Sequence, residues 1–227
     1  GIDEVVTFLH RIGLASKAPA FEQNVVDGKT LLAATDDDLR DEFGLTRLQL
    51  LRLRLELSAE PGGSADGHQS HRFLAFLTHD WGVDSHGRRN HDRVVRAFHG
   101  LIKRGILAWL DEERMEGNIL DQMCRGIDDS ATVVAFITTN YIEKVASDNE
   151  NDNCKREFNY ATLHKPGKMI AVPMEAEVSN PSTWKGPVGM VLGPLLYKAN
   201  LADDDDATWN AELDKLAAEI RRLANSP

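Results

Sequence analysis

The sequence predicts an α/β protein in two parts, a small all-α helical bundle followed by a doubly wound parallel sheet. Three observations carry this. Residues 1–60 repeat their apolar positions at helical spacing. The composition then breaks at "SAEPGGSADGHQSH" (58–71), where Pro61, Gly62, Gly63 and Ser64 end one helix and start no other element. From residue 72 onward, short and nearly continuous apolar runs alternate with helical patterns. Strands of that kind are buried on both faces of a parallel sheet. The boundaries that follow are a helical domain over 1–60, a linker over 61–71 and a sheet domain over 72–227.

In the helical domain, Val5, Val6, Phe8, Leu9 and Ile12 give a short amphipathic helix that stops at Gly13. "DGKTLLAAT" (27–35) reads as a turn and a second short helix. Thr35 is placed to cap a third over Asp36–Phe43, whose first turn is acidic, as the helix dipole favours. The last helix, "RLQLLRLRLEL" (47–57), sets Leu48, Leu51 and Leu55 on one side and carries Arg47, Arg52 and Arg54. Acids at Asp36, Asp37, Asp38, Asp41 and Glu42 against these arginines predict two opposite patches, able to meet head to tail between copies.

In the sheet domain the strands are expected at 72–78, 106–110, 132–138 and 168–174, with an edge strand near "PLLY" (194–197) and a final helix over Ala207–Leu223. The β-α-β-α-β order predicts a flavodoxin-like arrangement, in which ligands sit beyond the carboxyl ends of the strands. That rule selects Thr78–Gly82 after the first strand, with Thr78, His79, Asp80 and Trp81 as candidates, Asp111–Asn118 and the adjoining Ile119 after the second, and Thr138–Tyr141 after the third, with Thr138 the candidate.

Bulk properties exclude several classes. A net charge of −10 argues against nucleic acid or an anionic membrane as the main partner. No apolar run is long enough to span a membrane. Two cysteines, Cys124 and Cys154, make no disulfide framework and lack metal-ligand spacing, so a reducing, cytoplasmic setting is expected. The histidines at 68, 71, 86 and 91 have no spacing that a metal site requires. The chain opens at Gly1 rather than Met, and we expect a fragment.

"NDNCKREFNYA" (151–161) raises a sharper question. Cys154, Phe158 and Ala161 form one apolar stripe at i, i+4 and i+7, and Glu157 stands on its edge. On helix position alone, such a glutamate borders the stripe and pairs with Lys155 or Lys165.

Two resemblances give it another reading. "VVTFLHRIGL", "FEQNVVDGKTLLAATDDDLRDEFGL" and the long helix after them resemble a SAM domain over nearly all of 1–60, with Leu48 where that family usually opens its last helix with glycine. "THDW", "LDEERMEGNI", "LDQMCRGIDDS", "TVVAFIT" with "NYIEKV", and "NCKREFNYA" fall in the order of a TIR domain over about 72–200. TIR domains include scaffolds of innate immune signalling and enzymes that cleave NAD. In the enzymatic branch a glutamate follows a Trp-Cys-x-x pattern. The resemblance therefore implies that Glu157 is catalytic, with Asn153 standing where the family has an aromatic ring. A SAM domain joined to a glutamate-bearing TIR domain is also similar to the carboxyl-terminal part of the animal NAD hydrolases of axon degeneration. Their substrate loop carries Tyr-Arg after the first strand, where this chain has His79 and Asp80, followed by Trp81 as a ring for stacking.

The chemistry suits a single carboxylate. The nicotinamide of NAD is a cationic leaving group that departs neutral, so the general acid of a two-carboxylate glycosidase is unnecessary. What remains is stabilising the positive charge that grows on the ribose, which one half-desolvated carboxylate does through charge and hydrogen bonding. Neither metal nor cofactor is needed; NAD is the substrate. The expectation is an NAD glycohydrolase releasing nicotinamide and ADP-ribose or a cyclic form, activated by SAM-driven self-association and able to engage other TIR proteins. The alternative is a non-catalytic TIR/SAM signalling adaptor of innate immunity. The bland readings are a loop indole at Trp81, a structural cap at Asp111, and no partnership between His79 and Asp80.

Overall fold

A computed structural model of the chain describes residues 1–58, 71–110, 119–195 and 199–226. The chain divides into two compact units, Gly1–His68 and Gln69–Pro227. The linker expected at 61–71 lies outside the described residues apart from His71.

Among the described residues, the first unit holds five α-helices: α1 (Ile2–Arg11), α2 (Ala18–Gln23), α3 (Gly28–Ala33), α4 (Asp36–Asp41) and α5 (Arg47–Ser58). Their apolar positions converge on one core that includes Val5, Leu9, Ile12, Phe21, Leu31, Leu39, Leu50 and Leu53. Thr35 caps α4 reciprocally: its Oγ1 accepts from Asp38 N at 3.1 Å, and Asp38 Oδ2 accepts from Thr35 N at 2.8 Å. The two charge patches expected to stand apart meet within the chain at Arg54 and Asp36. Arg54 Nε donates to Asp36 Oδ1 at 3.0 Å, and a second guanidinium N–H donates to the Ala34 carbonyl. The side chains of Arg47, Leu48, Leu51 and Leu55 lie outside the described residues.

The second unit carries β1 (Phe73–Thr78), α6 (Asn90–Lys103), β2 (Ala108–Trp109), α7 (Ile119–Asp128), β3 (Ser130–Ile137), α8 (Thr139–Ala146), α9 (Asn153–His164), β4 (Met169–Pro173), α10 (Gly186–Leu192) and α11 (Asp206–Ala224). The strands pair in the order β2-β1-β3-β4, and every pairing is parallel, with Ala75 opposite Ala108 and Thr132, and Ala135 opposite Ala171. This is the flavodoxin-like order, in which the chain reverses direction between β1 and β3 and opens a crevice at their carboxyl ends. The residues of β3 are buried throughout, as a strand covered on both faces requires. Phe76, Val133, Ala135 and Ile137 share a core with Ile127, Tyr141, Cys154, Phe158 and Val188 from α7 to α10. On the other side α11 packs against α6, β1 and β3, burying Trp209, Leu213, Leu216 and Ile220.

Two elements differ from expectation. Of the strand expected at 106–110, the described residues show Ala108–Trp109, paired with β1. Pro194 and Leu195, expected to open an edge strand, lie in the turn after α10, and residues 196–198 are outside the described residues. The free side of β4 is met instead further along, where Leu201 N donates to the Pro173 carbonyl at 2.8 Å.

Candidate active site

A cleft of about 280 Å³ opens beyond the carboxyl end of β1, between the loop that follows it and the start of α9. Leu77, His79 and Trp81 form one wall; Asn149, Asn151, Asp152, Asn153, Cys154 and Glu157 form the other; Lys144 of α8 completes it.

Asp152 fixes the start of α9, accepting from Cys154 N at 2.9 Å and Lys155 N at 3.4 Å through Oδ1. This is an N-cap, and it stops the helix from running back into the cleft. Cys154, Phe158 and Ala161 then bury the stripe read from the sequence. Glu157, on the edge of that stripe, is half-buried and faces the cleft. Thr78, the last residue of β1, donates its hydroxyl to Glu157 Oε2 at 2.6 Å. A hydroxyl has one proton. With that proton given to Glu157, Tyr141 donates to Thr78 Oγ1 across 3.2 Å. Burial pushes the Tyr141 phenol well above its ordinary pKa, so it remains a donor. The two lysines read from the sequence as partners of Glu157 bond to other groups: Lys155 Nζ to Glu150 and the Ser147 carbonyl, Lys165 Nζ to the Asp128 carbonyl. Burial also raises the Cys154 thiol, which donates to the His79 carbonyl at 3.4 Å and ties α9 to the β1 loop.

His79 is itself buried, and its Nε2 lies 2.8 Å from His91 Nδ1 on α6. Burial, with His91 alongside, lowers its pKa to about 3, so it is neutral at ordinary pH. The Trp81 indole, 50% exposed, lies parallel to His91 with ring centres 3.9 Å apart and planes 13° apart.

The structure separates residues that the sequence grouped. His79, Trp81 and Glu157 line one cleft, and Thr78 reaches it through its bond to Glu157. Asp80 and Thr138 are buried outside the lining. Asp80 Oδ1 accepts from Asn90 Nδ2 at 2.9 Å and from the Thr138 hydroxyl, while Oδ2 accepts from Gly82 N at 2.9 Å. The turn closes so tightly around this carboxylate that a Cβ at Gly82 would sit 2.9 Å from it. His79 and Asp80 therefore form no dyad. Asp111 and the side chain of Ile119 lie outside the described residues.

Sequence reasoning reached Tyr141 only as the end of the Thr138–Tyr141 segment, and it passed over Lys144 and the role of His91. Tyr141 and Lys144 stand at i and i+3 in "NYIEKV", the signal for one helix face pointing at one place. His91 was visible only as one histidine among four; nothing in its neighbourhood points back to residue 79.

Fold and cleft together define a doubly wound α/β domain with a carboxylate-bearing crevice at its topological switch point. Residues 83–217 match the TIR domain, and residues 3–57 match the SAM domain (sterile alpha motif). The chain belongs to the TIR-domain family and carries a SAM domain ahead of its TIR domain. Both are domains that commonly self-associate, and TIR domains occur in NAD-cleaving enzymes and in non-catalytic adaptors. No curated protein matches the chain. Among the described residues, no helix is long and apolar enough to cross a membrane.

Proposed function

We propose that this chain is an NAD glycohydrolase with Glu157 as its catalytic carboxylate. The observation that carries the reading is the half-buried Glu157 on the switch-point cleft, held by Thr78 at 2.6 Å and sharing the cleft with the half-exposed Trp81. A carboxylate in that setting stabilises positive charge more strongly than one in open water. The nicotinamide–ribose bond breaks with its electron pair left on the ring nitrogen, so nicotinamide leaves neutral. Glu157 stabilises the ribosyl cation; water then adds at C1′ and releases a proton, giving ADP-ribose. A nucleophilic nitrogen of the adenine adding in place of water gives the cyclic form. The cleft is at the lower end of ordinary ligand pockets, about 300–1,000 Å³. It suits one heterocycle and its sugar. Self-association through the SAM and TIR domains would raise the local concentration of TIR domains to about the millimolar range. We place this activity in the cytoplasm, triggered by assembly.

The test is to incubate the purified chain with NAD, chromatograph the products with and without crowding, and repeat with Glu157→Gln. Nicotinamide release by the parent and its loss in the variant are expected; equal rates would refute the assignment. A second reading, a non-catalytic adaptor that polymerises and recruits other TIR proteins, is favoured by Asn153, which presents no ring to the cleft. It predicts assembly with no NAD turnover at any concentration.

A further inference from the structure

The His79–His91–Trp81 cluster has a geometry that packing alone does not require. The two imidazoles meet edge to edge: their nitrogens are 2.8 Å apart, their centres 5.1 Å apart and their planes within 23°. The indole lies over His91 at 3.9 Å and extends toward His79, whose centre is 5.7 Å away. One face of Trp81 is thus covered by a plate of two imidazoles, while the residue remains 50% exposed beside the cleft. A supported indole with an open face is the preferred surface for a flat cation.

The tautomers follow from the partners. A backbone hydrogen bond involving Leu77 favours the protonated ring, and we assign the proton of neutral His79 to Nδ1 because Nε2 meets His91. In neutral His79 that leaves Nε2 as an acceptor, so His91 donates from Nδ1. His91 Nε2 then carries the lone pair. A proton added there leaves the bond to His79 intact and puts a full charge beneath the indole.

We propose that Trp81, backed by the neutral His79–His91 pair, is a docking platform for a cationic heteroaromatic ring of the pyridinium class, and that protonation of His91 closes it to that ligand. This rests on the reading of the Glu157 cleft as an NAD site and assigns its leaving-group subsite. A pyridinium over the indole and an imidazolium under it repel each other across one ring; a neutral ring is indifferent. His91 titrates below the ordinary imidazole value of 6.5, because burial outweighs Asp92 beside it and Arg89 adds to the effect. Among the described residues that line the cleft, the other charged or titratable groups are Lys144 on α8, Asp152 at the N-cap of α9, and Cys154 and Glu157 on α9. His79 does not titrate in this range.

The experiment is an NMR titration of the full chain with 1-methylnicotinamide, a cation, and with nicotinamide, its neutral analogue, from about pH 8 to about pH 5. Long-range proton–nitrogen spectra of the imidazoles follow His91 in the same samples. The cation is expected to bind more tightly than the neutral ring at the upper pH. Below the His91 transition its affinity should fall by up to about tenfold per pH unit, with nicotinamide unaffected. His91→Phe keeps the stack without a titrating group and should bind the cation equally across the range. Glu157→Gln should retain the acid loss, which separates His91 from the cleft carboxylate. Equal affinity for the two probes, a pH-independent parent, or the same acid loss in His91→Phe would each overturn the proposal. Should His91→Phe fail to fold, the two probes on the parent and on Glu157→Gln still decide. No readout depends on NAD cleavage, so an inactive chain that binds the cation in this way would sink the enzyme reading and leave the platform standing.

Discussion

Two polar clusters stand at the carboxyl ends of the same strands and follow opposite rules. In one, Asp80, Asp84 and Glu175 are buried carboxylates surrounded by donors. Asp84 accepts from His86 N, Arg88 N and the Arg88 guanidinium at 2.7–2.9 Å, with Arg93 at 3.5 Å. Burial would raise its pKa, but these bonds hold it below the ordinary value. Arg93 in turn donates to the Met174 and Leu201 carbonyls and to Asp204. Glu175 accepts from Thr139 N and Ser85 N, joining β4 to the start of α8 and to the β1 loop. In the other cluster, Glu157 and Trp81 keep a face toward the cleft. A buried charge persists only where it is paired and hydrogen-bonded, and such groups hold the loops. A half-buried carboxylate on a cleft wall, with Thr78 donating to it, stays within reach of solvent or ligand. Chemical type alone does not distinguish these carboxylates; their surroundings do.

Removing a carboxylate from each cluster tests the contrast. Asp84→Ala strips a partner from Arg88 and from the buried Arg93. We expect a loss of about 3 kcal/mol or more in urea unfolding. A loss under about 1 kcal/mol would put Asp84 with ordinary surface pairs and erase the difference. Glu157→Gln should behave in the opposite way. NAD turnover is expected to fall by about 10²–10³, equivalent to about 2.7–4 kcal/mol, with unfolding hardly changed. A variant that unfolds early would mean that Glu157 belongs with the structural group.

The histidine shared by loop and cleft gives a pH signature. The folded-state pKa of His79, about 3, lies below its unfolded value of 6.5. The unfolded chain therefore takes up the proton first, and stability is lost as pH falls below 6.5. The slope reaches about 1.4 kcal/mol per pH unit for one such group. Thermal unfolding of parent and His79→Gln across this window should converge toward acid; parallel curves would show that His79 is not the group responsible. The smallest effect belongs to Trp81→Ala. Binding of the cationic ring should weaken by about 1 kcal/mol, while the melting temperature moves little because the indole is half exposed. An unchanged affinity would remove Trp81 from the site.

Much of the fold was legible in one dimension. Four continuous apolar runs announced buried parallel strands, and each appears within a few residues of its expected place. Glu157 was also legible, because a 3.6-residue period places a residue on a helix edge without knowledge of what the edge faces. The loop after β1 was not. The strand's alternation ends at Thr78, and beyond it no period assigns directions. His79 and Trp81 turn to the cleft while Asp80 between them turns inward to Asn90 and Thr138, residues 10 and 58 positions away.

The sequence by itself determined the helical bundle, the parallel sheet and the stripe that carries Glu157, since all three rest on local composition and periodicity. Only the tertiary structure decided which carboxylates are locked, that Glu157 borders the cleft, that Tyr141 stands behind Thr78, and that His91 lies against Trp81. These outcomes depend on which donors the packing brings within about 3 Å of an acceptor. Such pairings join α6, α8 and α9 to the end of β1 across long sequence separations. A hydrogen bond acts over one contact and leaves no periodic trace along the chain.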